Sequence, residues 1–275
     1  MNILFIGGGN MARAIISGLC ASSEVYKANK ISVIEPLSIT ADALKMCYPV
    51  TIFDSATAYF AATAEPADVI VLAVKPQVMQ IALAPFKGRV RGVVLSIAAG
   101  IPTRAIENWV NSDDAPLVAV VRAMPNTPAM IHEGITGLYA APSVDAPVRA
   151  LATTLLATVG KTQWFDDENM LDAVTAVSGS GPAYVFYFIE ALEEAAISLG
   201  FTPAQAREFA LETFRGGALL AAQSSDSPAT LRAQVTSKRG TTEAAILQLD
   251  AREVKAHIIA AVQAAQARSK ELGAT

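Results

Sequence analysis

Two cysteines, Cys20 and Cys47, are all the sulfhydryl chemistry the sequence holds. That excludes a disulfide framework and fits a reducing compartment. Two histidines, His132 and His257, stand far apart and suggest no metal cluster. No uninterrupted apolar run reaches the roughly 18 residues that a membrane helix needs. The best candidate, Ala173 to Ile189, carries no charge but is broken by Ser178-Gly-Ser-Gly-Pro182. The early apolar run Ile3–Ile6 has no basic segment before it and is too short for a secretion signal. No basic stripe is present and the net charge is −4, so no nucleic acid is expected as partner. These absences together predict a cytoplasmic protein.

Apolar residues are in excess: 52% of the 275 residues are hydrophobic and only 17% are charged. The length suits two domains. Without a membrane span, such a composition implies much surface buried between domains or subunits.

The first half alternates. Short apolar strands are predicted at Asn2–Ile6, Ile31–Ile34, Val50–Phe53, Asp68–Val74, Val93–Ile97 and Leu117–Val121. Helical spacing lies between them, at Asn10–Cys20, at Thr40–Cys47 with Thr40 as cap, at Ser55–Thr63, and from Pro102 in a first turn. Strands apolar on both faces and separated by helices imply a parallel sheet covered on both sides, a doubly wound α/β fold of Rossmann type. Residues 135–165 add a strand, a helix and a final strand.

From about Asp166 the strands vanish. Asp167 caps a predicted helix through Val177, Ser178–Pro182 interrupts it, and a long helix runs to Leu199. Thr202-Pro-Ala-Gln205 reads as a capping box opening a helix to about Gln223, and Ser227-Pro228 opens a short one. A polar loop follows, then helix to Leu272. The expected division is 1–165, a dinucleotide-binding domain, and 166–275, an all-α dimerisation and substrate-binding domain.

Gly7, Gly8, Gly9, Asn10, Met11 and Ala12 follow the first strand and open the first helix. In this Gly-x-Gly-x-x-Ala pattern Gly7 permits the tight turn, Gly9 admits a pyrophosphate, and Ala12 allows close helix–strand packing. The helix N-terminus offers free N–H groups to an anion. Glu35, at the end of the second strand, can accept hydrogen bonds from the adenosine ribose and repels a 2′-phosphate, which favours NADH. Ala73, Val74, Lys75 and Pro76 end one strand; Ala98, Ala99 and Gly100 follow the next. Both stretches suit close backbone approach to a cofactor. Lys75 is read as positional rather than catalytic. Arg122 to Pro128 forms a stiff loop that can border the nicotinamide.

Val235-Thr-Ser-Lys-Arg-Gly-Thr-Thr-Glu-Ala-Ala245 breaks the helical half with hydroxyls, a glycine and two cations. By itself it reads as an anion-binding nest ahead of a helix starting near Thr242, or as a polar interhelical turn.

The ordered segments GGGNMA, AVKPQ, SIAAG, RAMPNTP, VSGSGPAY and TSKRGTTEAAI make the whole chain resemble the pyrroline-5-carboxylate reductases. That resemblance implies reduction of Δ1-pyrroline-5-carboxylate to L-proline with NADPH or NADH, the last step of proline synthesis. It also implies homodimers with interlocking helical domains, assembling to a larger oligomer. It gives the loop a role: Val235, Thr236, Ser237, Gly240, Thr241 and Thr242 bind the substrate, backbone N–H groups holding its carboxylate. The Thr242 hydroxyl then lies near the ring nitrogen as the catalytic group. Ser178–Pro182 becomes a pocket wall. This chain departs from the family at Lys238-Arg239, where proline followed by glycine or asparagine is usual, so a positive φ at 239 is not expected. Gln234 replaces a frequent asparagine. Competing readings are a non-catalytic NAD-binding module and a hydroxy-acid or deazaflavin reductase; the hydroxy-acid reading would use Lys238.

Overall fold

A computed structural model describes residues 1–22, 30–113 and 117–273. Eight strands form one sheet: β1 Asn2–Ile6, β2 Lys30–Ile34, β3 Thr51–Phe53, β4 Val69–Leu72, β5 Val93–Ser96, β6 Val120–Met124, β7 Gly134–Ala140 and β8 Gly160–Trp164. Their order is β3-β2-β1-β4-β5-β6-β7-β8. From β3 to β6 every pairing is parallel. Side chains alternate between two cores. Ile3, Phe5, Val69 and Val71 join one; Leu4, Ile6, Ile70 and Leu72 join the other. Both faces are therefore buried, as the unbroken apolar strands require. The chain reverses direction across the sheet between β1 and β4. This places a crevice beyond the carboxyl ends of those strands.

The sheet is not parallel throughout. β7 runs antiparallel to β6. Only a 3-10 turn, Thr127–Ile131, links the two strands, too short for a crossover. The helix Ala146–Ala157 lies between β7 and β8, and that pair is parallel again.

Several helices depart from expectation. The second begins at Ser38, not at Thr40, and Leu37 caps it without a side-chain bond. Ala41 N–H already donates to the Leu37 carbonyl at 2.9 Å, which puts Thr40 inside the helix. Pro102 is a cap in extended conformation, and the helix is Thr103–Val110. Asp167 does not cap a helix to Val177. Its carboxylate takes Asn169 N–H at 3.0 Å, the helix is Met170–Val174, and Thr175–Gly179 is a π turn. Ser180 N–H reaches the Thr175 carbonyl at 2.8 Å, so Ser178–Ser180 widens the helical path instead of ending it. The last helix is also divided. Glu253 at φ 51 separates Thr241–Ala251 from Val254–Gly273.

The chain forms two compact units. One is Met1–Ser180 together with the residues from Ala265 on; the other is Gly181–Ala264. Strands end at Trp164, near the expected boundary, whereas the compact units divide at Ser180. In the helical unit the capping box forms: Thr202 Oγ1 accepts Gln205 N–H at 3.3 Å and Gln205 Oε1 accepts Thr202 N–H at 3.0 Å. Ser227 Oγ caps Pro228–Gln234 by accepting Thr230 N–H at 3.1 Å. This unit has almost no core of its own. Among its described apolar residues only Ala206 and Ala210 are buried, while Phe186, Tyr187 and Phe209 are 65%, 69% and 61% exposed. Apolar surface on this scale needs a partner. Among the described residues no helix is long and apolar enough to cross a membrane.

Candidate active site

The turn after β1 is built by contacts that dictate its glycines. Gly7 has φ +98, and a Cβ there would lie 2.8 Å from the Ala73 carbonyl oxygen. Its N–H donates to the Ile34 carbonyl at 2.9 Å. Gly8 N–H donates to Glu35 Oε2 and Leu37 N–H to Glu35 Oε1, each at 2.9 Å. The buried Glu35 carboxylate thus holds the glycine turn and its own loop together. Gly9 differs: a Cβ there meets nothing within 4 Å. Gly9 is also the N-cap of Asn10–Ala21 and supplies no side-chain cap, so the helix's first N–H groups lack intrahelical partners. Open space in front of uncapped donors is what an approaching anion requires. Ala12, 1% exposed, packs into the core below.

A cleft of about 560 Å³ opens here, lined by Gly7, Gly8, Gly9, Glu35, Ala73, Val74 and Lys75 among others. The structure therefore brings together the glycine turn, the strand-end acid and the end of β4. Asn10, Met11, Ala12 and Pro76 stand outside its lining, as do Ala98, Ala99 and Gly100. These last three follow β5 at the same sheet edge, and Gly100 takes φ +79.

Arg122 is not at the start of a loop. It lies in β6, 5% exposed, with Nη1 3.2 Å from Glu168 Oε1 and Nη2 3.9 Å from Asp172 Oδ1. Burial, and then the Glu168 and Asp167 carboxylates, push the nearby Tyr139 phenol up. The loop after β6 is anchored by Asn126, whose Nδ2 donates to Ser178 Oγ at 3.1 Å and whose Oδ1 accepts Ile135 N–H at 3.0 Å.

In the helical unit, Thr241–Ala251 starts at Gly240, which again supplies no side-chain cap. Part of the preceding loop is committed to itself. Thr236 Oγ1 donates to the Arg232 carbonyl at 2.6 Å, and Gly240 N–H to the Ser237 carbonyl at 3.0 Å. The loop's one acid, Glu243, takes Arg239 N–H at 2.6 Å. Val235 caps the preceding helix, and the Thr241 and Thr242 N–H groups occupy the open first turn. Thr242 Oγ1 makes no hydrogen bond among the described residues. Gln234 is turned elsewhere, donating to Asp226 Oδ2 at 2.8 Å.

Arg239 adopts φ 61, contrary to the expectation from its side chain. The bonds of Arg239 and Gly240 to Glu243 and Ser237 fix the turn, and the residue accepts the left-handed conformation. Such a conformation costs about 1–2 kcal/mol in a residue with a Cβ. Arg239→Gly should therefore raise stability by roughly 0.5–1 kcal/mol, the strain relief less the entropy of glycine. Thermal unfolding at matched protein concentration checks this; an unchanged or lower midpoint would show the conformation to be unstrained.

The comparisons with known proteins agree in both halves. Residues 168–272 match the family model described as pyrroline-5-carboxylate reductase dimerisation. Residues 2–100 match a model described as coenzyme F420-dependent NADP oxidoreductase. Over 98% of its length the chain is 41% identical to the pyrroline-5-carboxylate reductase of Pseudomonas aeruginosa, covering 96% of that protein. The chain belongs to the pyrroline-5-carboxylate reductase family. A solved pyrroline-5-carboxylate reductase from Coxiella burnetii superposes with TM-score 0.86 at 38% identity, covering 100% of this chain and 99% of that one. The Plasmodium falciparum pyrroline carboxylate reductase, solved with NADP bound, superposes with TM-score 0.82 at 25% identity, covering 99% and 98%.

For a pyrroline-5-carboxylate reductase the sequence reading missed Glu168, Asp172 and the Asn126–Ser178 pair. A signal was present: a lone arginine in an otherwise apolar strand needs a buried counter-charge, and Asp167, Glu168 and Asp172 follow the last strand.

Proposed function

We infer that this chain reduces Δ1-pyrroline-5-carboxylate to L-proline by hydride transfer from NADPH or NADH, the last step of proline biosynthesis. One observation carries the reading most. Two of the helix starts that lack a side-chain cap, at Gly9 and at Gly240, are glycines, one in a dinucleotide crevice and one beside an uncommitted threonine hydroxyl.

The crevice fits a dinucleotide: the space at Gly9 is open and the carboxylate of Glu35 faces it. Gly7, Gly8, Gly9 and the N–H groups of Asn10 and Met11 would hold the pyrophosphate, and Glu35 the ribose. Ala73–Pro76 and Ala98–Gly100 border the rest. Bound there, the reduced nicotinamide supplies the hydride. The protein's own task is placement. Backbone donors of Ser237, Thr241 and Thr242 hold the substrate carboxylate, and the Thr242 hydroxyl orients the ring nitrogen. A cyclic imine that arrives protonated is already electrophilic. This explains why the loop contains no strong acid directed at substrate.

The chain self-associates through its helical unit, whose exposed aromatic residues require cover. Dimers assemble further into a larger oligomer, which sedimentation would detect. With Cys20 and Cys47 both free, the reading places the enzyme in the cytoplasm.

Two experiments test this. Loss of NADPH or NADH absorbance on adding pyrroline-5-carboxylate is expected; no loss with either would end the proposal. The cleft also contains Asp54 beside Glu35, so two carboxylates meet an incoming 2′-phosphate. NADH should serve at least as well as NADPH, and Glu35→Ser should shift the kcat/KM ratio toward NADPH by about tenfold, one like-charge contact's worth. A strong wild-type preference for NADPH would remove Glu35 from the ribose.

A further inference from the structure

Ala98 N–H reaches Ser96 Oγ at the long distance of 3.5 Å, whereas the exit of the Ala98–Gly100 segment is tightly held. Thr103, the first residue of the next helix, donates its N–H to Glu168 Oε1 at 2.8 Å and its hydroxyl to Glu168 Oε2 at 3.1 Å. An acid 65 residues away thus caps this helix, and Pro102 has no side-chain group that could. Glu168 is itself fixed by the buried Arg122, which also faces Asp172. Asp172 accepts Ser269 Oγ at 2.8 Å from the last helix. That helix ends against the segment: Gly273 lies so close that a Cβ on it would stand 2.8 Å from the Gly100 carbonyl oxygen. Both ends of residues 100–103 are thereby held from behind, one by a carboxylate and one by backbone contact.

We propose that Glu168 is a positioning residue for the dinucleotide. It sets the Ala98–Thr103 segment at the sheet edge, and the Ser269–Gly273 turn completes the hold. This rests on the reading that Ala98, Ala99 and Gly100 border the cofactor. Charge alone does not account for the arrangement, because Arg122 could be neutralised by Asp172 without Thr103. Two hydrogen bonds from one residue to one carboxylate define an orientation, and orientation is what a cofactor loop needs.

The test uses the full chain and direct titration of NADH and NADPH by fluorescence, beside steady-state kinetics. Glu168→Ala should raise the dinucleotide Kd and KM about tenfold, with kcat and the KM for pyrroline-5-carboxylate within about twofold. Glu168→Gln, which keeps an acceptor for Thr103 N–H, should recover most of the loss. If Glu168→Ala fails to fold, Thr103→Val carries the test. It keeps the shape, loses one bond, and should raise Kd about threefold to tenfold, while Thr103→Ser stays near wild type. Folded Glu168→Ala and Thr103→Val proteins with lower unfolding midpoints but unchanged Kd would show a structural role only and overturn the proposal. Ala99→Ile separates the two levels of the argument. If it weakens dinucleotide binding while the Glu168 and Thr103 variants do not, only the positioning role fails. If it too leaves Kd unchanged, the segment does not border the cofactor and the proposal falls with that reading.

Discussion

Gly9→Val should leave the fold and its unfolding midpoint intact and weaken NADH and NADPH binding by about a hundredfold or more. The geometry separates the two effects. A Cβ at Gly9 meets no atom within 4 Å, and the backbone there, at φ −65 and ψ −178, is open to any residue. The folded protein therefore has room for valine. The pyrophosphate does not, because the branched side chain would occupy the approach to the uncapped N–H groups. Losing one or two hydrogen bonds to a charged group amounts to about 1.5–3 kcal/mol each. At about 1.4 kcal/mol per tenfold, two such losses exceed a hundredfold. Gly7→Val is the contrast. At φ +98 and with a backbone oxygen 2.8 Å from its Cβ, it should damage the fold itself. Calorimetric binding with a thermal scan on each variant decides. Unchanged affinity in Gly9→Val would remove the pyrophosphate from this turn.

Thr242→Ala should lower kcat for pyrroline-5-carboxylate by about tenfold to a hundredfold while NADH binding stays nearly constant. Thr242 Oγ1 is uncommitted among the described residues, whereas Thr236 Oγ1 already serves the Arg232 carbonyl at 2.6 Å. Gly240, not Thr242, is the helix cap. A hydroxyl that neither caps nor back-bonds is free to meet substrate. One hydrogen bond to a charged group contributes about 1.5–3 kcal/mol, and its loss at the reacting nitrogen appears in turnover. Thr242→Val keeps the shape and should behave like alanine; Thr242→Ser should retain much of the activity. Valine behaving like serine would show that the hydroxyl is not used. A chief effect on NADH affinity would assign the loop to the cofactor.

Local signals were legible where one short stretch decides the outcome. β1 spans Asn2–Ile6 as read, since a run apolar on both faces has only the sheet centre to occupy. The Thr202/Gln205 capping box formed because all its partners lie within four residues. The misread boundaries were decided by bonds that propensity does not show, one of them distant. Pro102 became a cap because Glu168 serves the helix from beyond the last strand. Asp167 turned to Asn169, which left the next helix to start later. At Arg239 local propensity argued against φ 61, but the bonds to Glu243 and within Ser237–Gly240 prevailed. The glycine turn, Glu35 and the end of β4 were each legible as candidates. That Glu35 also ties Gly8 to Leu37 is set by the fold, because two backbone amides from different loops meet at one carboxylate.

The helix Val254–Gly273 begins in one compact unit and ends in the other. In order of synthesis, the sheet unit's two segments lie on either side of the helical unit. Its Asp172 gains Ser269, and its Gly100 gains Gly273, only after the helical unit has been made. In sequence the helical unit is an insertion between the two segments of the sheet unit. A sheet unit that folds as it emerges therefore does so without these two contacts. What waits for the helical half is the bracing of Asp172 and Gly100, not the sheet itself.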